Sequence, residues 1–233
     1  MKLFSIETSL MFLGERKDVC KSCFKDIKQN SFHELFSSQN YVCSKCILEA
    51  NPKFKYFDIN GVKALSVYDY DEHMKTKMYL YKGCEDYEMK DYFIYPFRLE
   101  LKILFSQYTI IPIPSYEEDD KKRGYNHVIE AFKCLNLKFL NAIIKTENIK
   151  QKELNYEQRQ DIHKCFVWNK KIEIEGKKIL LVDDVCTTGA SLKAAINLIK
   201  QHNPKKIRIL VIAKRELTNE EIKEYSLSKK VLK

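Results

Sequence analysis

Glycine and proline are scarce in this 233-residue chain, with 6 and 5 copies, and tryptophan occurs once. That scarcity excludes a collagen-like fibre and long Gly/Pro-rich linkers. The apolar runs, such as Ile110-Ile111-Pro112-Ile113-Pro114 and Ile179-Leu180-Leu181-Val182, fall far short of the roughly 20 residues a membrane helix needs. No membrane insertion is expected. A secretion-type leader is not expected either, because Glu7 and Gly14-Glu15-Arg16-Lys17-Asp18 interrupt the stretch around Leu10-Met11-Phe12-Leu13. The expected location is cytoplasmic, where cysteines serve as thiols or metal ligands rather than disulfides. Neither a G-x4-G-K-[ST] phosphate loop nor a G-x-G-x-x-G dinucleotide fingerprint occurs.

What is present is a core-forming composition with 45% hydrophobic residues, and a basic balance of 41 Lys+Arg against 32 Asp+Glu, a net +9. The length suits one full domain plus a small one, at roughly 150 residues per domain. The positive charge biases the surface toward polyanions such as nucleic acid or phosphorylated metabolites. Part of the lysine excess reads as compositional bias, alongside the abundant Asn and Ile.

Four of the eight cysteines form two C-x2-C pairs, Cys20/Cys23 and Cys43/Cys46, separated by 19 residues. Two such turns place four thiolates around one tetrahedral ion, the zinc-ribbon pattern. With no open coordination position left, the site is structural. Cys84, Cys134, Cys165 and Cys186 are scattered.

From about residue 60 the pattern changes. Val62–Tyr68 reads as a strand, and residues 71–106 read as helical, with Met74, Met78 and Tyr81 and then Leu99, Leu101, Ile103 and Leu104 on apolar faces. Thr109–Ile113 is a buried-strand candidate and residues 115–126 a polar loop. Val128, Ala131, Phe132 and Leu135 then mark a helix. Lys178–Val182 is a strand closed by Asp183-Asp184; Leu192, Ala195, Ile196 and Ile199 mark the following helix, and Ile207–Ala213 the next strand. Strands alternating with helices predict an α/β body with a parallel sheet flanked by helices. The expected organisation is a zinc ribbon over 15–50, a body over 60–216 and a tail over 217–233.

In such sheets ligands bind beyond the carboxyl ends of the strands. There lies Val182-Asp183-Asp184-Val185-Cys186-Thr187-Thr188-Gly189-Ala190-Ser191. Unpaired N–H groups at a helix start attract an anion, Gly189 and Ala190 let it approach the main chain, and Thr187, Thr188 and Ser191 add hydroxyl donors. Two acids at a strand end accept hydrogen bonds from vicinal sugar hydroxyls and help hold Mg²⁺. A ribose phosphate fits this arrangement.

The segment resembles the phosphoribosyl-pyrophosphate signature of type I phosphoribosyltransferases. With a four-cysteine ribbon in front, the chain resembles the ComF (ComFC) family of competence proteins. Ile111-Pro112-Ile113-Pro114 and Arg123-Gly124-Tyr125-Asn126-His127 are similar to that family's P-V-P and R-G-F-N-Q elements. Lys145, Gln151, Leu154, Arg159 and Phe166 fall on its R…Q…L…R…N…F segment. His127 replaces Gln, Tyr125 replaces Phe, Lys145 replaces Arg, and Asp161 replaces Asn.

The resemblance implies a type I phosphoribosyltransferase fold and binding of phosphoribosyl pyrophosphate with Mg²⁺. Asp183 and Asp184 would hold the ribose hydroxyls, residues 187–191 the 5′-phosphate, Arg123 and Gly124 the pyrophosphate, and Lys145 would close over the site from a flexible loop. The acidic run Glu117-Glu118-Asp119-Asp120 is out of place beside a pyrophosphate loop unless it faces solvent or Mg²⁺. No acceptor site is legible. The implied role is DNA uptake or processing in natural competence, with single-stranded DNA and competence-machinery proteins such as a DNA-translocating helicase as partners. A non-catalytic single-strand-binding protein that keeps the ribose-phosphate pocket as a sensor remains open; Lys21, Lys25, Lys28 and Lys45 are its candidate phosphate contacts.

Overall fold

The computed structural model of the chain describes residues 19–27, 41–145 and 166–216. Lys28, Gln151, Leu154, Arg159, Asp161 and the tail over 217–233 lie outside the described residues. Among the described residues, no helix is long and apolar enough to cross a membrane.

The body is built on a five-stranded sheet in the order β1 (Lys55–Ile59), β2 (Val62–Asp69), β7 (Lys206–Lys214), β6 (Lys178–Cys186), β3 (Thr109–Pro112). The contacts β2/β7, β7/β6 and β6/β3 are parallel, so the expected parallel α/β sheet is present. Only β1 runs antiparallel, paired to β2 through a two-residue turn at Asn60-Gly61. Both turn residues have positive φ, 53° and 78°, the Asn-Gly conformation that matches hairpin twist. This strand was not anticipated, although Asn60-Gly61 between apolar residues was a readable signal.

Apolar layers cover both sheet faces. On one lie Leu65, Val67, Leu180, Val182, Leu210 and Ile212, packed with Met74, Tyr81, Phe93, Leu101 and Phe132. On the other lie Ile111, Ile179, Leu181, Ile209 and Val211, packed with Leu192, Ala195, Ile196 and Ile199. The last four come from the β6–β7 crossover helix α7 (Ala190–Lys200) at the predicted i, i+3, i+4, i+7 spacing. The face-one cluster also contains Cys20, Val42, Cys46 and Ala50. The cysteine segment therefore packs directly onto the body's core.

Three local expectations are corrected. The single helical run over 71–106 is broken into α2 (Glu72–Lys82), α3 (Lys90–Phe93) and α4 (Arg98–Phe105), joined by 3₁₀ turns at Tyr87–Met89 and Tyr95–Phe97. Gly83 stops α2, Glu85 takes a left-handed conformation with φ 59°, and Pro96 sits where a helix can only restart. In α4, Leu101 and Phe105 face the core, whereas Leu99, Ile103 and Leu104 are exposed.

Residues 115–126 are not a loop throughout, because Glu117–Arg123 forms helix α5. The four acids stand in its first turn and Lys121, Lys122 and Arg123 in its last, each complementing the helix dipole, and Lys121 pairs with Glu117 at 2.8 Å. The acidic run is thus helix-starting chemistry. Finally, β6 does not close at Asp183-Asp184 but carries both acids within the strand, which continues to Cys186.

Candidate ribose-phosphate site and cysteine cluster

The carboxyl end of β6 places Asp183 half-buried and Asp184 buried. Alternation along a strand sends neighbouring side chains to opposite faces, so the two acids meet different surroundings. Asp183 accepts the Asp184 backbone N–H at 2.9 Å. Burial and the charge of Asp184 push its carboxyl well above the usual carboxylate range. For Asp184 burial acts in the same direction, but the hydrogen bond from His127 and the charge of Lys82 outweigh it and hold the carboxyl well below that range.

His127 and Lys82 are the residues that sequence reasoning missed in this role. Lys82, the last residue of α2, forms an ion pair with Asp184 Oδ2. Nothing in the sequence ties these two residues, which lie 102 positions apart. His127 Nε2 stands 2.8 Å from the same oxygen. Arg123 Nη1 lies 2.6 Å from His127 Nδ1. A guanidinium can only donate, so Nδ1 accepts and the Nε2–H tautomer donates to Asp184, an assignment that follows from the network. The chain Arg123→His127→Asp184 thus links the helix α5 terminus to the sheet acid.

The segment Arg123-Gly124-Tyr125-Asn126-His127 explains how this link is held. Gly124 leaves α5 at φ 78°, a left-handed position that only glycine takes without strain. Tyr125 stacks on Tyr81 with ring centroids 5.5 Å apart and donates its hydroxyl to the Tyr81 carbonyl at 2.5 Å. Asn126 caps α6 (His127–Phe132), its side chain accepting from Ile129 N at 2.9 Å. Arg123 is further held by Asp120, at 3.4 Å, and by the Asp119 carbonyl, at 3.0 Å.

Beyond β6, Thr187 and Thr188 are exposed and Gly189 precedes α7 at φ 71°. Gly189 at the N-cap has no side chain to offer and no acid stands in the first turn; Thr188 Oγ1 accepts from Ala190 N at 3.4 Å, a long contact at the helix start. A Cβ on Gly189 would come within 3.2 Å of Ile59 Cδ1, a second reason for glycine there.

Lys145 ends a short strand, β4 (Ile143–Lys145), paired antiparallel with β5 (Phe166–Trp168). Its ammonium lies 3.6 Å from the Tyr116 ring centroid. It lines a cavity of ≈ 200 Å³ with Pro112, Pro114, Ser115, Asp120 and Asn126, just beyond β3. The site residues from β3, α5, β4 and β6 therefore gather at one end of the sheet.

The four cysteines also come together, with their sulfurs all within 4.8 Å of one another. Cys20–Cys46 and Cys23–Cys43 are each separated by 3.8 Å. Four thiolates bound at about 2.3 Å in a tetrahedron lie about 3.8 Å apart, so the cluster fits a zinc ion; a disulfide at about 2.05 Å it is not. Cys20/Cys23 sit on a tight turn closed by Phe24 N to Cys20 O, whereas Cys43 and Cys46 lie at the start of helix α1 (Ser44–Ala50). Burial raises the Cys20 thiol, but backbone N–H groups of Cys43, Cys23 and Ser22 bring it down to about 7, toward the thiolate a metal requires. The cluster is fastened to the body by Lys21–Glu88, by Lys77 donating to Ser22 Oγ at 2.9 Å, and by the Tyr92 hydroxyl on the Cys46 carbonyl at 3.4 Å. Of the candidate phosphate contacts, Lys21 is thereby engaged with Glu88, Lys45 pairs with Glu49 at 3.8 Å, and Lys25 is exposed.

Residues 126–231 match the phosphoribosyl transferase domain family. Fold and sequence together thus define a phosphoribosyltransferase-like protein. Over 136 residues the chain is 30% identical to Competence protein ComFC of Bacillus subtilis (strain 168), covering 56% of this chain and 55% of that protein. It is 26% identical over 148 residues to Competence protein ComFC of Streptococcus pneumoniae (strain ATCC BAA-255 / R6), covering 64% and 66%. The chain is thus similar to the ComF competence proteins. It spans between about half and two thirds of the length of these curated relatives. Among solved structures, purine phosphoribosyltransferase from Pyrococcus horikoshii Ot3 aligns with TM-score 0.32 and 16% identity, over 54% of this chain and 74% of that one.

Proposed function

We propose that this protein binds phosphoribosyl pyrophosphate with Mg²⁺ at the carboxyl end of β6 and serves DNA uptake or processing in natural competence. The observation that carries the ligand assignment is the acid pair Asp183-Asp184 running directly into the glycine-led start of α7 past Thr187, Thr188 and Gly189. The acids suit ribose hydroxyls, and the first-turn N–H groups of α7 with the threonine and Ser191 hydroxyls suit the 5′-phosphate. Arg123 and Lys145, on neighbouring elements at the same sheet end, supply cations for the pyrophosphate. Bound Mg²⁺ would neutralise charge on that leaving group. The corresponding chemistry is displacement of pyrophosphate at the anomeric carbon by an acceptor not yet assigned.

The competence role rests on the relatives named above, whereas single-stranded DNA and a DNA-translocating helicase as partners follow only from the sequence resemblance. In the same reading the four cysteines hold a structural zinc ion. Calorimetric titration of the zinc-loaded protein with phosphoribosyl pyrophosphate and Mg²⁺ tests the pocket. Micromolar binding that disappears in Asp183→Ala/Asp184→Ala is expected. No binding by a folded wild type overturns the ligand assignment and leaves a single-strand-binding role to be tested first.

A further inference from the structure

Arg208 stands on β7, the central strand of the five-stranded sheet, between the buried Ile207 and Ile209. Its side chain is half-buried, yet its one hydrogen bond among the described residues is a 3.4 Å contact to the Ile207 carbonyl. No carboxylate pairs with it there. A partly desolvated cation without an anion is costly, so folding alone does not account for an arginine at this position.

The surroundings point to the missing partner. Arg208 lines a cavity of ≈ 280 Å³ with Tyr56, Lys63, Phe105, Tyr108 and Lys206, and no acidic residue among the described residues lines it. Lys63 lies beside Arg208 across the parallel β2/β7 pair, which sets Ala64 against Ile209. Lys206 is two residues away on the same strand, hence on the same face. Neither lysine has an ion-pair partner among the described residues. Tyr56 is 74% exposed, and Tyr108 packs edge-on against Phe105 with centroids 5.7 Å apart. Arginine is otherwise sparse in this lysine-rich chain, occurring at Arg16, Arg98, Arg123, Arg159 and Arg215. Its planar fork suits phosphate oxygens better than lysine does, and exposed tyrosine faces suit a base.

We propose that this cavity is a second ligand site that takes a nucleotide unit, with the phosphate on Arg208, Lys63 and Lys206 and the base against Tyr56 or Tyr108. It lies toward the strand starts, away from the acid pair, and does not depend on what that pair binds. The unit is either a free nucleotide or part of a single strand.

The test measures fluorescence anisotropy of etheno-AMP and of a short labelled oligothymidylate, in an Asp183→Asn/Asp184→Asn background that silences the other pocket. Arg208→Met is expected to weaken binding about tenfold or more and to flatten its salt dependence. Binding of etheno-AMP assigns a free nucleotide; binding of the oligomer alone assigns a strand. Because Arg208→Met removes an uncompensated charge while keeping the side chain's length, its thermal midpoint should match or exceed that of its parent. Equal affinity of both probes for the two proteins overturns the proposal, as does absence of binding to either. A lowered midpoint with unchanged affinity would make Arg208 a structural residue.

Discussion

Replacing His127 by leucine keeps much of the side-chain volume but removes the donor that meets Asp184 Oδ2 at 2.8 Å. Both groups are buried, so water does not replace the lost bond. A hydrogen bond to a charged acceptor contributes about 1.5–3 kcal/mol, and Lys82 still pairs with the same oxygen, which keeps the cost below the about 3–5 kcal/mol of a stranded buried charge. His127→Leu should therefore lower stability by about 2 kcal/mol, or about 4–8 °C in thermal midpoint for a chain of this size. His127→Gln restores an N–H donor at similar reach and should cost under about 1 kcal/mol. The ComF-like R-G-F-N-Q element carries glutamine at this position. Urea unfolding of the zinc-loaded variants at neutral pH measures both losses, and a cycle with Arg123→Met should show coupling of at least about 0.5 kcal/mol, since Arg123 sets the imidazole tautomer. Equal losses for leucine and glutamine, or a leucine loss under about 0.5 kcal/mol, would refute the assigned network.

The other expectations concern charge, backbone and metal. Asp184 is held well below the usual range, so its contribution is present above the unfolded carboxylate pKa of about 3.9 and lost as pH falls further; Asp184→Asn should flatten the acid limb of a stability–pH curve. Asp183 has the opposite sign: its raised carboxyl weakens the fold as pH climbs above about 4, so Asp183→Asn should stabilise the unliganded protein at neutral pH while abolishing sugar-phosphate binding, both readable by calorimetry. Gly189→Ala forces a Cβ into a left-handed turn and against Ile59; a loss of about 1–2 kcal/mol, with weaker phosphate binding than Gly124→Ala shows, is the expected denaturation and titration result. Metal analysis should find one zinc per chain, lost in Cys46→Ser. A chelator should lower the thermal midpoint of the whole protein, because Cys20 and Cys46 share the body's apolar cluster.

Much of this molecule was legible in one dimension because the signals are local. The C-x2-C spacing delivers two sulfurs to one point whatever the rest of the chain does, and the second pair needed only to arrive. Apolar Ile179–Val182 followed by Asp183-Asp184, small residues and an i, i+3, i+4, i+7 helix is one continuous βα unit, so strand, loop and helix were read together. Where expectation failed, short-range chemistry was underweighted: the dipole-matched charges of α5 and the Asn60-Gly61 turn were both visible in the sequence. The partners of Asp184 were not. Lys82 and His127 reach it from two helices far apart in sequence, and Arg208 becomes conspicuous only once β7 is seen at the centre of the sheet without an acid opposite it. Residue types and spacings determined which groups could act as ligands, since coordination and helix-start chemistry depend on near neighbours; the charge state and orientation of each acid were decided by tertiary packing, because burial and long-range ion pairs exist only in the folded chain.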